Sequence, residues 1–480
     1  MCNQLGAMTD PVPAELRARF AAAGQEQVFR FIDSKISSEA EVKSLLEQLA
    51  DLDLEYVANS LKSALAEVAA IAEASDLEPS DDFMCLADAS ADDIAAWELQ
   101  GLKAIGCGEV AACVLAGGQG TRLGFDGPKG CYDIGLPSQK PLFQIFVEKV
   151  RRLVTLAREA GGPKPWMPLL VMTSPMTHKQ TVDFFEEYNF FGMAKEDVWF
   201  FQQGTMPCLT PEGKIILESP GNIACNPDGN GGVYPALKKS GCLDKLLSTG
   251  VKSLHVFSVD NPLCKPADPR FVGYCLSKNA DCGNKCVWKA SPDEKVGVMA
   301  KKGGRPSVVE YSELDDARKT QRDANGRLVF GAGNICNHFF SVQFLADVVV
   351  PKMSTMFHLA HKKIPHAGED GQLVKPESNN GVKLEAFIFD VFPMSSRIAI
   401  METFREEEFA PVKNAPGTPS DSPDTARNMV SLLCRKWVEK AGGKIEGDAI
   451  VEVSPLKSYA GEGLEGLVAG KTINTPCHLF

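Results

Sequence analysis

The sequence Val110-Ala-Ala-Cys-Val-Leu115-Ala-Gly-Gly-Gln-Gly-Thr-Arg-Leu-Gly124 joins an apolar run to a glycine-rich loop. The run Val110–Leu115 predicts a buried strand, and the glycines predict a loop at the carboxyl end of that strand. Backbone without side chains can approach a ligand closely, and its N–H groups can hold a phosphate. Arg122 lies in this loop, and Lys129 follows it in the tail Gly127-Pro128-Lys129-Gly130. Two cations beside an open backbone predict a site for a polyphosphate that carries a base.

The spacing of these glycines differs from two common nucleotide-binding fingerprints. A P-loop requires a lysine followed by serine or threonine after its glycines, and no such pair follows here. The dinucleotide fingerprint G-x-G-x-x-G is met by Gly118 and Gly120, but the next glycine is Gly124, one position too late. The loop therefore disfavours an NAD-dependent dehydrogenase, while a strand-to-helix turn without a ligand remains an alternative.

Composition predicts a large cytoplasmic protein. The chain has 480 residues, 44% of them hydrophobic, which is enough for about two to four domains. Its net charge of −12 argues against nucleic acid or an anionic membrane as a partner. The 15 cysteines follow no zinc-ribbon spacing, so we expect free thiols in a reducing compartment. No secretory signal and no apolar run of about 18 residues occur, so we expect neither secretion nor a membrane span.

The pattern along the chain predicts three regions: a helical region at 1–105, an α/β domain at 106–400 and a C-terminal domain at 401–480. Apolar residues at three- and four-residue spacing predict the helices of the first region. These helices are Ala14–Asp33, Glu39–Ala50 and Leu54–Ala72. Ser90 predicts the start of a further helix, because Asp93 lies three positions on.

In the second region apolar runs alternate with longer amphipathic stretches, which predicts a largely parallel sheet with helices. The predicted strands are Val110–Leu115, Pro168–Met172, Val198–Gln202, Ser253–Ser258, Cys286–Lys289 and Val308–Tyr311. The predicted helices are Leu142–Ala160, Thr177–Tyr188, Val342–Val350 and Met353–Lys362. In the third region we expect a mobile loop at Asn414–Asp424, a helix at Thr425–Ala441 and short strands after it.

Two acidic residues follow apolar runs in the second region and suggest a metal site. Asp260 ends the run Val256–Val259, and Asp390 ends the run Phe387–Phe389. A carboxylate at the carboxyl end of a strand is a natural ligand for Mg²⁺, with Mn²⁺ as the alternative. Aspartate is also a common turn residue, so a purely structural role stays open.

Other polar residues have the chemistry to bind a nucleotide and a sugar. Gln202 carries a donor and an acceptor that suit the edge of uracil, or it is simply exposed to solvent. Glu310 lies in an apolar run and needs a partner, either a sugar hydroxyl or the backbone. Asn334 follows small residues that admit a ligand or only pack tightly. Lys413 precedes the expected loop and could close onto a phosphate, or lie at the surface.

The order of these motifs resembles that of the eukaryotic UDP-N-acetylhexosamine pyrophosphorylases. The resemblance spans roughly 100–415 and continues more weakly to Glu465. It also includes the strings Lys214–Glu218, Ala280–Lys285 and Asn334–Phe340. It implies a Rossmann-like nucleotidyltransferase core of the glycosyltransferase-A type, with an N-terminal helical region and a small C-terminal α+β or β domain.

The resemblance also implies roles for individual residues. Backbone at Leu115, Gly117 and Gly118 would hold uridine, with Gln202 and Gly229 at the base. Arg122 and Lys129 would bind the triphosphate and the transferred phosphoryl group, and Lys413 would contact phosphate. Asn230, Gly297, Glu310 and Asn334 would hold the sugar, with Phe387 and Phe389 shaping its pocket. Asp260 and Asp390 would lie near Mg²⁺.

The sequence departs from the family pattern beside the second glycine-rich loop, Pro227–Gly232. Pro235 stands where the family usually carries a basic residue, and Cys225-Asn226 replaces an apolar pair. Both changes put sugar selectivity in doubt.

The implied activity joins UTP to N-acetylglucosamine 1-phosphate and releases UDP-N-acetylglucosamine and pyrophosphate. A pyrophosphorylase for UDP-glucose or a broader set of UDP-sugars is one alternative. A non-catalytic sensor of nucleotide sugars is another, although the retained cations argue against it.

Overall fold

In the computed structural model, residues 10–73, 76–311, 313–355, 357–474 and 476–479 are described. The chain divides into two compact units. The first comprises the described parts of Met1–Ala74, Gly204–Gly232 and Lys352–Ile388. The second comprises the described parts of Ser75–Gln203, Val233–Pro351 and Phe389–Phe480. The three regions expected from the sequence stay a prediction.

The helices of the first unit are Ala14–Ala22, Arg30–Asp33, Glu39–Asp51 and Leu54–Glu73. The predicted continuous helix Ala14–Asp33 is wrong. Gly24 adopts the left-handed conformation at φ +66°, which ends the first helix, and a 3₁₀ turn at Glu26–Phe29 follows. The helix Glu39–Asp51 begins at Ser38, whose hydroxyl and the Glu41 side chain form a reciprocal capping box. Its bounds and those of Leu54–Glu73 confirm the sequence prediction to within one residue.

The strands of the first unit form two-stranded antiparallel pairs. The pairs are Thr205–Pro207 with Cys225–Pro227, Leu217–Ser219 with Asn222–Ile223, His358–Lys362 with Gly381–Glu385, and His366–Ala367 with Leu373–Val374. The predicted helix Met353–Lys362 is therefore wrong over its second half. Leu359 lies opposite the buried Leu384, so tertiary pairing overrides the local helical spacing here.

An 11-stranded mixed sheet forms the centre of the second unit. Its main path runs Met84–Cys85, Ile398–Glu402, Cys282–Trp288, Ala332–Ser341, Ser253–Ser258, Val110–Leu115, Leu169–Thr173 and Val198–Gln202. Neighbours on this path are parallel, except that Ala332–Ser341 is antiparallel to both of its neighbours. The strands Leu77–Pro79, Val298–Lys302 and Arg305–Val309 form an antiparallel extension. The predicted α/β class with a largely parallel sheet is confirmed.

The central strand Val110–Leu115 is buried at every position, which explains its continuous apolar sequence. The helices of this unit are Ala91–Gly106, Leu142–Glu159, His178–Glu187, Val233–Lys239, Cys242–Thr249, Pro269–Ser277, Asp316–Thr320, Val342–Phe344, Arg405–Glu408, Pro423–Lys440 and Glu465–Val468. As predicted, Ser90 caps the first of them: its hydroxyl accepts a 3.1 Å hydrogen bond from the Asp93 backbone. A π-helical turn at Leu345–Val349 continues Val342–Phe344.

The end of the chain contains short parallel strand pairs beside the helix Pro423–Lys440. Lys444–Glu446 pairs with Thr472–Asn474, and Val451–Val453 pairs with Cys477–Leu479. The predicted helix and short strands of this region are confirmed. Within the described ranges, no helix combines the length and apolarity that crossing a membrane requires.

Candidate active site

The glycine-rich loop leaves the carboxyl end of the central strand and folds back on itself. Gly120 donates a backbone hydrogen bond of 2.8 Å to the carbonyl of Gly127, and Lys129 donates one of 3.0 Å to Gly118. The parallel neighbours Ser253–Ser258 and Leu169–Thr173 end at the same edge of the sheet. Gly118 is exposed, and a side-chain carbon there would meet no atom within 4 Å. The loop therefore offers accessible backbone next to Lys129.

Gly117 contacts Gln203, which follows the strand Val198–Gln202, two places along the sheet. A Cβ on Gly117 would lie 2.5 Å from Oε1 of Gln203, so a side chain here would require the Gln203 amide to move. Ser174 Oγ donates a 2.9 Å hydrogen bond to the Gly117 carbonyl and fixes the backbone there. Gln203 is buried, whereas the predicted base-binding Gln202 is exposed at the end of its strand. The structure thus leaves Gln202 accessible, and its contact with uracil stays a prediction.

Arg122 lies at the surface of the loop. It is exposed in the 3₁₀ turn Thr121–Leu123, while its neighbour Leu123 is buried in the core of the second unit. Within the part of the chain that is described, no carboxylate lies within ion-pair distance of Arg122. The buried leucine therefore holds the turn, and the arginine remains available to an anion.

Lys129 and Asp260 lie close together. Lys129 Nζ is 3.9 Å from Asp260 Oδ2 and donates a 3.2 Å hydrogen bond to the carbonyl of Val412. Asp260 Oδ1 accepts a 2.7 Å hydrogen bond from Ser258 Oγ. The Val412 backbone N–H donates to the Asp260 carbonyl at 2.8 Å. One lysine, one carboxylate and the segment that leads to Lys413 therefore form a single cluster.

Lys413 follows Val412 in this cluster and is half-buried. The backbone N–H groups of Lys413 and Asn414 both donate to the carbonyl of Asp421, at 2.7 and 2.8 Å. Burial raises the pKa of the Asp421 carboxyl, and the nearby Lys413 partly opposes this shift. The start of the predicted loop Asn414–Asp424 is thus closed by hydrogen bonds. Its mobility stays a prediction.

The residues of this cluster fit Mg²⁺ only if the substrate supplies further ligands to the ion. The described residues contain no group of three or more His, Cys, Asp or Glu side chains able to hold a metal ion. Mg²⁺ commonly takes one or two carboxylates and completes its shell with water and phosphate oxygens. Asp260 is partly exposed and suits that role. Asp390 lies half-buried in the turn Ile388–Met394, and its part in metal binding stays a prediction.

Three candidate sugar-binding residues come together at the antiparallel extension of the sheet. The backbone N–H of Asn334 donates a 2.8 Å hydrogen bond to the carbonyl of Gly297. A Cβ on Gly297 would lie 3.0 Å from Oε1 of Glu310. Asn334 Oδ1 accepts a 3.2 Å hydrogen bond from the Cys336 backbone. The structure therefore groups a carboxylate, an amide and a glycine, while Phe389 is buried elsewhere in the same unit.

The remaining candidates belong to the first unit. Asn230 Oδ1 accepts a 2.9 Å hydrogen bond from the Ile388 backbone N–H. Gly229 has φ +90°, and a Cβ there would lie 2.3 Å from the Ala386 carbonyl oxygen. The Phe387 ring lies 4.7 Å from that of His358 between centroids. Gly229, Asn230 and Phe387 thus form one group, and their contacts with base and sugar stay predictions.

Sequence reasoning missed the acid inside the second glycine-rich loop. Asp228 is 6% exposed, and within the described ranges its Oδ1 has no hydrogen-bond partner. Burial raises its pKa to about 6. The string Pro-Asp-Gly-Asn is typical of an exposed turn, so no local signal indicates that this carboxyl is enclosed.

Sequence reasoning also missed a buried ion cluster near Asp260. Lys285 is completely buried and donates to Asp268 at 2.6 Å and to Glu408 at 3.1 Å. Burial alone would lower the pKa of Lys285, but the two carboxylates outweigh it and raise that pKa. Burial raises the pKa of Asp268, but the nearby Lys285 and Lys265 outweigh it and lower that pKa. The sequence predicted this strand only from Cys286, whereas it begins at Cys282, so no local signal indicated a buried lysine at 285.

Comparisons with known proteins agree with this geometry. A model of the UTP–glucose-1-phosphate uridylyltransferase family matches residues 90–421. The chain is 42% identical over 470 residues to UDP-N-acetylglucosamine diphosphorylase 2 of Arabidopsis thaliana, covering 95% of this chain and 92% of the relative. It is 40% identical over 459 residues to UDP-N-acetylglucosamine pyrophosphorylase of Saccharomyces cerevisiae, covering 93% and 95%.

A solved structure shares the fold over nearly the whole chain. The uridine diphosphate N-acetylglucosamine pyrophosphorylase from Trypanosoma brucei, crystallised in complex with an inhibitor, matches with a TM-score of 0.82 at 34% identity. The match covers 96% of this chain and 95% of that chain. The predicted nucleotidyltransferase fold is thereby confirmed.

Proposed function

Because this chain belongs to the UTP–glucose-1-phosphate uridylyltransferase family, and within it to the UDP-N-acetylhexosamine pyrophosphorylases, we propose that it makes UDP-N-acetylglucosamine. Its substrates are UTP and N-acetylglucosamine 1-phosphate, and its second product is pyrophosphate. An oxygen of the sugar phosphate attacks the α-phosphorus of UTP. The bond from that phosphorus to the bridging oxygen breaks, and pyrophosphate takes the electron pair.

This reaction requires no general base on the protein. A phosphate monoester has a second pKa near about 6, so the attacking oxygen is mostly ionised at neutral pH. The obstacle is repulsion between two anions, which positioning and charge neutralisation must overcome. The protein therefore needs cations at a fixed site rather than a nucleophile or a base.

The observation that carries the proposal is the cluster of Lys129, Asp260 and the segment leading to Lys413. Lys129 Nζ lies 3.9 Å from Asp260 Oδ2, at the edge of the sheet where the glycine-rich loop leaves its strand. Arg122 supplies a further cation in that loop. The loop that follows Leu115, with no side chains at Gly117 and Gly118, is the natural place for uridine, with Gln202 at the base.

We propose Mg²⁺ as the metal, with Asp260 as its protein ligand and Asp390 as a second. When bound with substrate, the metal would neutralise phosphate charge. Gly297, Glu310 and Asn334 lie together and suit the hydroxyl and acetamido groups of the sugar. A reducing compartment such as the cytoplasm agrees with the 14 described cysteines, all of which are free thiols.

The test is pyrophosphate release from UTP by the purified protein with a panel of sugar 1-phosphates. N-acetylglucosamine, N-acetylgalactosamine and glucose 1-phosphates are compared by kcat/KM. We expect the N-acetylglucosamine compound to be the best substrate. Preference for glucose 1-phosphate would instead favour a UDP-glucose pyrophosphorylase, and no release with any sugar would favour a sensor.

A further inference from the structure

A buried asparagine links two segments that carry candidate active-site residues. Asn261 follows Asp260 directly and is 3% exposed. Its Nδ2 donates a 2.6 Å hydrogen bond to the carbonyl of Glu408, and its Oδ1 accepts one of 3.0 Å from the Ala410 backbone N–H. The side-chain amide thus pairs with the neighbouring segment as a peptide group of an adjacent strand would.

This pairing sets the position of the segment that ends in Lys413. Two residues after Ala410, Val412 donates its backbone N–H to the Asp260 carbonyl at 2.8 Å. The Val412 carbonyl accepts a 3.2 Å hydrogen bond from Lys129 Nζ. A shift of the segment at Ala410 would therefore move Lys413, and the carbonyl that holds Lys129 Nζ, relative to the Asp260 carboxylate.

The other end of the segment is anchored without Asn261. The Glu408 carboxylate accepts hydrogen bonds from the buried Lys285 and pairs with Lys265, each at 3.1 Å. Removing the Asn261 amide leaves these ion pairs in place. It removes the acceptor of the Ala410 N–H and loosens the stretch that leads to Lys413, so its effect should be local.

We propose that Asn261 is a positioning residue, which fixes Lys129 and Lys413 relative to Asp260 for the transfer of the uridylyl group. The proposal rests on the function proposed above. Misplacement of reacting groups by about 1 Å can cost about 10²-fold in rate. Loss of this amide should therefore lower turnover more than substrate affinity.

The test combines kinetics with amide hydrogen exchange of the variant Asn261→Ala. We expect kcat to fall about 10–100-fold, with KM values within about threefold of wild type. Peptides spanning 409–414 should exchange faster, because the Ala410 N–H loses its acceptor and the segment that carries the Val412 N–H is held less firmly. Asn261→Asp serves as a second variant, since it keeps the size and an acceptor for Ala410 but loses the donor to Glu408.

Asn380→Ala is the matched control. Its side-chain amide forms the same pair of bonds, accepting from Ile364 N–H at 2.7 Å and donating to the Ile364 carbonyl at 2.9 Å, but in the first unit. We expect normal kcat for this variant. Unchanged kcat or unchanged exchange at 409–414 in both Asn261 variants would overturn the proposal, as would an equal loss in the control. Failure of the proposed function would appear separately, as absence of turnover in the wild type.

Discussion

Lys129 and Asp260 face each other without forming a close ion pair, since 3.9 Å separate Lys129 Nζ from Asp260 Oδ2. Each has a further neutral partner, the carbonyl of Val412 for the lysine and the hydroxyl of Ser258 for the aspartate. Both side chains are 17% exposed. In a close, buried ion pair each charge would be neutralised by its partner and would not be available to a ligand. The observed spacing is compatible with the proposal that the ammonium binds a phosphate and the carboxylate a metal ion.

Arg122 should act on substrate binding without affecting the fold. Its side chain is exposed, so Arg122→Ala should leave the thermal midpoint unchanged. Loss of a charged hydrogen bond to phosphate should raise KM for UTP by about tenfold or more. Steady-state kinetics with varied UTP measure this effect. Arg158→Ala, at the exposed end of the helix Leu142–Glu159, is the control and should behave as wild type; equal KM values in the two variants would contradict the assignment.

The Lys285 cluster should dominate the stability of the second unit. Lys285→Met leaves the buried Asp268 carboxylate without its ion-pair partner and Glu408 with Lys265 alone, so the free energy of unfolding should fall by about 3–5 kcal/mol. Urea unfolding followed by circular dichroism measures the change. The control Lys252→Met removes an exposed pair with Glu109 and should cost less than about 1 kcal/mol. Similar losses of unfolding free energy in both variants would show that the buried pairs of Lys285 stabilise the protein no more than an exposed pair does.

Asp228 should make stability depend on pH. Its pKa in the folded protein is about 6, against an ordinary value of 3.8. Between these values the folded state holds the proton longer than the unfolded chain, so stability falls as pH rises. Relative to Asp228→Asn, which cannot titrate, the wild type should lose about 1–2 kcal/mol between pH 5 and pH 8. Urea unfolding at several pH values measures this difference, and a pH-independent difference would contradict it.

The sequence predicted those strands that are enclosed on both faces. Val110–Leu115 and Ser253–Ser258 match the structure residue for residue, because burial demands continuous apolar sequence and loops flank each run. Val198–Gln202 matches as well, although it is the last strand on the main path and its Gln202 is exposed. The helix predicted at Met353–Lys362 failed because the strand there depends on pairing with Gly381–Glu385, about twenty residues on. The local spacing of apolar residues contains no information about such a distant pairing partner.

The candidate site shows the same difference between features that local sequence predicts and features that depend on long-range packing. Lys129 and Asp260 were predicted from strand ends and glycines, and the structure brings them together. The roles of Asn261 and Glu408 could not be predicted, because about 150 residues of chain separate them and only the folded structure joins them. Local patterns indicate where chemistry lies along the chain. Long-range packing determines how that chemistry is held.

Turnover of Lys129→Ala with UTP and N-acetylglucosamine 1-phosphate tests the central claim most directly. We predict a fall in kcat of about 10²–10³-fold, the usual cost of losing one electrostatic stabiliser of a transition state. Lys179→Ala, an exposed lysine paired with Asp183, is the control and should retain full turnover. Near-normal kcat with a raised KM in Lys129→Ala would show that this lysine only binds substrate, and would contradict the account.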